Sequence, residues 1–217
     1  MASQGRVILF AQQKGGAGKS TLVTQLAVAL SQAGDRVRVI DLDPQRSTTD
    51  WFGVRTKQNG AIKPTDLDLV DSTEWRARSD ILHAAREADF VLVDSPGAAG
   101  AVGRGAMRTA QFALIPCQPS APDIWASADT LDMVRREKLP HAVVLNRVPP
   151  RGRVVDSATG ELLNSGAPVM STRIGARLAF CEAFMSGTGV TEIAGRSPAA
   201  HEIRTLARAL DSVVAHA

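Results

Sequence analysis

Short apolar runs alternate with longer amphipathic stretches along most of the chain. The segments 6–11, 36–41, 89–94, 111–116 and 141–146 are rich in β-branched and other apolar residues, which is typical of strands buried on both faces of a parallel sheet. Between them, apolar residues recur at three- and four-residue spacings, which predicts helices. This order predicts an α/β fold, in which helices cover both faces of a doubly wound, mainly parallel sheet.

The predicted helices and one further strand complete this order. Helical spacing is found over 19–33, 73–88, 102–110, 124–137, 171–186 and 198–215, and a strand is predicted over 67–70. Gly34 ends the first of these helices. The stretch 148–168 interrupts the alternation because it contains prolines, several turn formers and little apolar periodicity. We therefore predict a surface excursion there.

Length and composition favour a single domain, residues 1–217. A chain of 217 residues can build one core but leaves little room for a second. No run approaches the roughly 18 apolar residues of a membrane span, and no secretory leader begins the chain, so we expect a cytoplasmic protein without a membrane partner. The two distant cysteines favour neither a zinc site nor a disulfide framework. A net charge of +3 is compatible with a polyanionic partner.

A glycine-rich loop between the first strand and the first helix is the clearest chemical feature. Its residues are Lys14, Gly15, Gly16, Ala17, Gly18, Lys19, Ser20 and Thr21. Glycines allow such a loop to point backbone N–H groups at phosphate oxygens, Lys19 adds charge beside the β and γ phosphates, and the Ser20 hydroxyl can ligate Mg²⁺. The loop therefore predicts a nucleoside triphosphate as the ligand.

Polar residues follow three other predicted strands. Asp41 and Asp43 leave one strand, Asp94 ends the next apolar strand, and Asn146 ends the last one. Ligands of such sheets bind beyond the carboxyl ends of the strands, so Asp94 is predicted to hold Mg²⁺, directly or through water. For Asp43 a role in the site is favoured over a turn cap, whereas both interpretations stay open for Asp41. Asn146 is a candidate for pairing with adenine through its amide, with a plain turn role as the alternative.

The loop departs from the general phosphate-loop pattern at its start. Gln13 stands where a glycine is expected, and Lys14 follows it. This variant resembles the deviant Walker A loop of the ParA/MinD family of ATPases, and over nearly its full length the chain looks most like the short, ParF-like branch. The resemblance implies a P-loop NTPase fold and a lysine, Lys14, that reaches across a dimer to the partner's nucleotide. It also implies that Lys14, Lys19 and Asp43 serve catalysis, with Asp43 near the attacking water and Mg²⁺.

The same resemblance implies partners. It predicts a homodimer when ATP and Mg²⁺ are bound, slow ATPase activity stimulated by a ParB-like or adaptor protein, and nonspecific DNA binding on the nucleoid. Arg173 and Arg177, and likewise Arg204 and Arg208, are predicted to lie one helical turn apart, so that each pair can share a face toward DNA phosphates. Intramolecular ion pairs, for example with Glu202, are the alternative.

Two other functions share these motifs. A MinD-like ATPase that cycles on membranes would end in a detachable basic amphipathic helix, whereas Ile203, Leu206 and Leu210 form a stripe more consistent with packing on the domain. A metabolic ATP-dependent ligase on the same scaffold would hydrolyse ATP without a dimer or DNA. The leading hypothesis is a dimerising ATPase that partitions or positions a plasmid or a large protein cargo.

Overall fold

The computed structural model of the chain describes residues 4–58, 66–73, 75–97, 105–151 and 153–214. The strands within these ranges are β1 Arg6–Phe10, β2 Val37–Asp41, β3 Leu67–Val70, β4 Phe90–Asp94, β5 Phe112–Cys117, β6 His141–Val148 and β7 Val169–Gly175. They form one sheet in the order β3-β2-β4-β1-β5-β6-β7, and every neighbouring pair is parallel. The predicted parallel α/β fold is confirmed.

Helices cover both faces of this sheet. They are α1 Lys19–Ala33, α2 Ser47–Thr56, α3 Ala77–Glu87, α4 Ala121–Arg136, α5 Val154–Asn164, α6 Leu178–Met185, α7 Val190–Ile193 and α8 Pro198–Val214. One buried cluster lies between the sheet and α3, α4 and α5, and a second lies between the sheet and α1, α6, α7 and α8. Residues 105–107 are also helical, and the start of the helix predicted over 102–110 lies outside the described residues.

The central strands are apolar throughout because both of their faces are covered. In β1, Val7 and Leu9 belong to one buried cluster, whereas Ile8 and Phe10 belong to the other. Each of these four side chains is at most 2% exposed. Alternate residues of a strand point to opposite faces, so a continuous apolar run fills both layers at once.

The predicted surface excursion over 148–168 is wrong. The strand β6 continues to Val148, and helix α5 follows it. Val155, Ala158 and Leu162 are buried on one side of that helix, at the spacing of one helical face. This segment is therefore part of the layer that covers the sheet.

The helix predicted over 171–186 is wrong in its first half. Residues Val169–Gly175 form the edge strand β7, and the helix begins only at Leu178. Thr172 and Ile174 are buried while Arg173 between them is exposed, which is the alternation of a strand with one covered face.

The last helix packs on the domain, as its apolar stripe predicts. Ile203, Leu206 and Leu210 are fully buried, and α8 contacts β7, α1 and α7. Within the described ranges, none of the helices combines the length and the apolar character needed to cross a bilayer.

Candidate nucleotide-binding site

The predicted phosphate loop lies where β1 meets α1, at the carboxyl edge of the sheet. Gly16 and Gly18 have φ angles of 80° and 95°, a region that glycine enters without the steric cost of a Cβ atom. A Cβ atom on Gly18 would lie 2.3 Å from Nδ2 of Asn146. A Cβ atom on Gly15 or Gly16 would have no neighbour within 4 Å, so the outer side of the loop is open to a ligand.

Lys19 is held in place by the end of the strand that precedes the loop. It is 7% exposed, and its Nζ donates to the carbonyl oxygen of Gln12 at 3.2 Å. The Gln12 side chain is itself buried and donates to the Pro116 carbonyl at 3.2 Å and to the Ser127 hydroxyl at 2.8 Å. The sequence interpretation missed Gln12, although a polar residue directly after an apolar strand is the same signal that singled out Asp94.

Asp94 is a fully buried carboxylate with one unpaired oxygen. Its Oδ2 accepts a hydrogen bond from the Thr48 hydroxyl at 2.8 Å, whereas its Oδ1 has no hydrogen-bond partner among the described residues. Burial raises the pKa of Asp94 to about 6, helped by the charge of Asp41 and opposed by the hydroxyls of Ser20 and Thr48 and the charge of Lys19. A cation beside the Asp94 carboxylate would therefore stabilise its ionised form.

The Asp94 and Ser20 pair fits the predicted Mg²⁺ role. Mg²⁺ prefers hard oxygen ligands and keeps several waters, and a free carboxylate oxygen beside a hydroxyl is such a set. A cation would also offset the desolvation of the Asp94 carboxylate.

The carboxylates of Asp41 and Asp43 have different hydrogen-bond partners. Oδ2 of Asp41 accepts from both the backbone N–H and the hydroxyl of Thr49 at 2.9 Å, and its Oδ1 accepts from the Asp43 N–H at 3.1 Å. Asp41 therefore fixes the turn into α2. Asp43 is only half-buried, and its Oδ1 accepts from the Gln45 N–H at 2.9 Å. Its predicted role beside the attacking water stays a prediction.

Lys14 is paired within its own chain. Its Nζ lies 2.7 Å from Oδ2 of Asp123, and the side chains are 35% and 7% exposed, respectively. Asp123 lies in the first turn of α4, where Ser120 caps the helix. Sequence reasoning did not connect Asp123 to the loop, because an acid in a first helical turn is typical of any capped helix.

The Asn146 side chain is hydrogen-bonded to the phosphate loop. Its Nδ2 donates to the Ala17 carbonyl at 2.8 Å, and its Oδ1 accepts from the Arg147 N–H at 2.9 Å. A role in pairing with adenine stays a prediction. The structure places the Asn146 amide against the phosphate loop, and this close contact is possible because Gly18 has no Cβ atom.

The first arginine pair predicted for DNA does not share a helix face, which corrects that expectation. Arg173 lies on β7, 3.9 Å from Asp156, whereas Arg177 precedes α6 and binds Glu202, with its Nε 3.1 Å from Oε2. The two residues are in extended backbone because β7 occupies the predicted first helical turns.

The second arginine pair has the predicted geometry. Arg204 and Arg208 are both exposed on α8, one turn apart. Arg204 donates to the Gly195 carbonyl at 2.6 Å, and Arg208 donates to the Arg204 carbonyl at 3.3 Å. Neither bond neutralises the guanidinium charge, so both cations remain able to attract phosphates.

Comparisons with known proteins find relatives of this chain in both sequence and fold. The family model described as the CobQ/CobB/MinD/ParA nucleotide binding domain matches residues 8–190. The maintenance of carboxysome distribution protein A of Halothiobacillus neapolitanus is 32% identical over 203 residues, covering 90% of this chain and 92% of that protein. The protein ParA of Rhizobium radiobacter is 30% identical over 189 residues, 83% of each. The solved Cyanothece McdA complex with ATP has the same fold, with a TM-score of 0.81 at 17% identity over 97% of this chain and 98% of that one.

Proposed function

We propose, from the premise that this chain belongs to the CobQ/CobB/MinD/ParA nucleotide-binding family, that it is an ATP-dependent dimerising switch. As a slow ATPase on the nucleoid, it would partition a plasmid or position a large protein cargo. The observation that carries the proposal is the position of Lys14, whose ammonium group is bound to Asp123 of its own chain at 2.7 Å. A cation held in this way is available to a second site only after that pair is broken.

The chemistry needs such a cation. Phosphoryl transfer depends on positioning and on neutralising charge around the γ-phosphate, more than on covalent chemistry. Lys19 and the loop amides supply part of that charge from within the chain, and Ser20 and Asp94 would hold Mg²⁺, which would supply more positive charge. A second lysine from the partner completes the set, so hydrolysis is slow in the monomer and depends on pairing.

The ion pair between Lys14 and Asp123 also makes dimerisation depend on ATP. Asp123 is buried, so moving Lys14 away leaves a desolvated carboxylate without a partner, which is unfavourable. The γ-phosphate of the partner's nucleotide offers Lys14 a compensating contact that ADP lacks. A ligand shifts an equilibrium only by its differential affinity for the two states, and this contact is the difference.

The proposed attachment to the nucleoid rests on exposed cations. Arg204 and Arg208 lie together on α8, and a dimer would present two copies of that pair to DNA. Two linked patches bind a polyanion more strongly than one and with a steeper salt dependence. DNA affinity would thereby follow the nucleotide state, and a ParB-like or adaptor partner would stimulate hydrolysis and release.

The test is the ATPase rate per chain as a function of protein concentration, with and without nonspecific duplex DNA. The proposal predicts a rate that rises with concentration and then saturates, and that falls about a hundredfold in Lys14→Ala, the size of effect seen when one transition-state donor is lost. Lys57→Ala, which removes an exposed lysine elsewhere, is the matched control. A rate that is flat in concentration and indifferent to DNA would favour a metabolic ligase instead.

A mixing experiment separates action across the dimer from action within one chain. Lys14→Ala and Asp43→Ala are each expected to be inactive alone. In a mixed dimer, the Lys14→Ala chain keeps Asp43 and receives Lys14 from its partner, so one of the two sites is complete. Recovered activity on mixing supports a lysine that acts in trans, and no recovery would show that Lys14 serves its own nucleotide.

A further inference from the structure

A second concave site lies at the edge of the sheet opposite the phosphate loop. It is a cleft of about 800 Å³ where β5 and β6 begin. Its basic residues are Arg135, Lys138 and His141, and the exposed apolar residues that line it are Pro140, Pro168 and Val213. None of the described residues that line it is acidic. The cleft therefore combines positive charge with apolar surface.

The backbone of the cleft offers little to a ligand. Pro140 and Pro168 line it, and proline has no N–H to donate. Their carbonyl oxygens already accept hydrogen bonds from the N–H groups of Ala113 at 2.8 Å and Val143 at 2.7 Å. At these two prolines, recognition is therefore left to side chains.

Lys138 has a backbone conformation that favours glycine. Its φ is 54°, and it ends α4, with its N–H donating to the Arg135 carbonyl at 3.0 Å and the Leu139 N–H donating to the Val134 carbonyl at 2.9 Å. These two bonds form a Schellman motif, in which the left-handed residue is usually glycine.

Other helix ends of this chain use glycine for the same task. Gly34, Gly166 and Gly187 close their helices with the same pair of hydrogen bonds and with positive φ angles. Lysine in place of glycine costs conformational free energy. A strained residue that the rest of the fold does not require is a reason to look for a function, and this one lies on a cleft.

The charge of Lys138 is available to a ligand. Glu137 binds Arg108 at 3.0 Å and Asp132 lies 3.8 Å from Arg135, and Lys138 itself forms no ion pair within the described residues. Arg135 also donates to the Ser165 carbonyl at 3.0 Å, which fixes its guanidinium at the wall of the cleft. Lys138 is exposed at the end of the same helix.

We propose that this cleft binds an acidic, partly apolar peptide segment of a partner protein. Lys138 would receive a carboxylate of the segment, and Pro140, Pro168 and Val213 would pack against its apolar side chains. The charge of the cleft is complementary to such a segment, and the apolar surface distinguishes it from DNA, whose backbone presents phosphates and sugars alone. The binding lies outside the nucleotide site and needs no ATP, so it goes beyond the proposed switch and is measured separately from it.

The test measures fluorescence anisotropy of a short labelled peptide that alternates glutamate with leucine, without nucleotide. The wild-type chain is expected to bind it, and Lys138→Gly is expected to weaken binding about tenfold, the effect of one lost charge-assisted contact. Because glycine relieves the strain at this position, the thermal midpoint of Lys138→Gly should stay the same or rise. Loss of binding therefore cannot be attributed to unfolding. Arg136→Ala, which removes an adjacent exposed cation outside the cleft, should bind as the wild type does.

Several outcomes would overturn the proposal. They are no binding by the wild-type chain, equal binding by Lys138→Gly, or equal binding of a peptide in which lysine replaces glutamate. Equal binding of a peptide that alternates glutamate with serine would also overturn it, since the apolar surface would then have no part. Displacement of the peptide by duplex DNA with the same dependence on Lys138 would identify a polyanion site instead.

Discussion

Gly18 occupies a place in the phosphate loop that admits only glycine. Its φ is 95°, and a Cβ atom would lie 2.3 Å from the Asn146 amide nitrogen that holds Ala17. We predict that Gly18→Ala lowers the free energy of unfolding by more than the roughly 1 kcal/mol of a left-handed alanine, and that it abolishes the rise in melting temperature on adding ATP. Thermal unfolding with and without ATP checks both.

The matched control is Gly15→Ala. A Cβ atom there meets nothing within 4 Å, so the melting temperature without ligand should be unchanged. If Gly18→Ala melts like the wild type and still gains stability from ATP, the close packing of Asn146 on the loop has no role in binding.

Asp89 gives a pH-dependent contribution to stability, far from the nucleotide site. Its carboxylate accepts hydrogen bonds from the backbone N–H and the guanidinium of Arg36, which hold the pKa of Asp89 at about 2, below its usual value of 3.8. A lowered carboxyl pKa stabilises the fold above 3.8, and this stabilisation is lost as the pH falls toward 2. The two side chains are 51% and 42% exposed, so solvent screens the pair and its contribution at neutral pH is small.

Urea unfolding of Asp89→Asn and wild type at several pH values tests this sign. The wild type should be more stable at neutral pH, and the difference should shrink once the pH falls below 3.8. A difference that grows in acid would mean that the pKa of Asp89 is raised in the folded protein.

At the scale of elements, α2 is held at both ends by tertiary contacts rather than by its own sequence. Its residues include several threonines and Gly53, which are poor helix formers, so the sequence alone did not predict it. Thr48 and Thr49 attach its start to Asp94 and Asp41, and Arg55 attaches its end to the segment before α7.

Arg55 also forms an ion pair with Glu192 of α7. The two side chains are 9% and 12% exposed and share hydrogen bonds of 2.8 and 3.0 Å. We predict that Arg55→Leu or Glu192→Leu alone costs about 3 kcal/mol, because either change leaves a desolvated charge without its partner. The double variant should cost less than the sum of the two. A double-mutant cycle from urea unfolding measures this, and strictly additive losses would contradict a direct coupling.

The elements that were predictable are those whose sequence pattern reflects local burial. The strands β1, β4 and β5 are covered on both faces, so their apolar runs identify them without any tertiary information. The sequence pattern did not identify α5 or the start of β7, because exposed apolar residues such as Val154 and Leu163 stand beside the buried ones. The helical spacing of Val155, Ala158 and Leu162 was obscured by polar neighbours, and β7 is an edge strand that exposes Arg173.

The residues of the candidate site also divide into those that a local sequence pattern identifies and those that only the fold brings together. The phosphate loop could be predicted because its chemistry is contained in one contiguous run between a strand and a helix. The partners of that loop could not, because Asp123 and Thr48 reach it only through the fold. Their types and neighbours resemble ordinary capping residues, so only the distances to Lys14 and Asp94 identify them.

For the whole molecule, the proposed switch depends on one event, in which the ammonium group of Lys14 moves from Asp123 to the nucleotide of a second copy. The variant Asp123→Asn tests the ion pair between Lys14 and Asp123 directly, because it weakens the attraction that holds Lys14 within its own chain. It should therefore raise the affinity of the ATP-bound dimer, whereas an affinity that is unchanged or lower would show that Asp123 does not restrain Lys14.

The most direct measurement is sedimentation velocity of the Asp43→Ala chain, which is predicted to bind ATP without hydrolysing it, with Mg²⁺ and either ATP or ADP. The proposed switch should give dimers with ATP, monomers with ADP, and monomers with ATP once Lys14→Ala is introduced into the same chain. A chain that binds ATP and still sediments as a monomer at every concentration would contradict it.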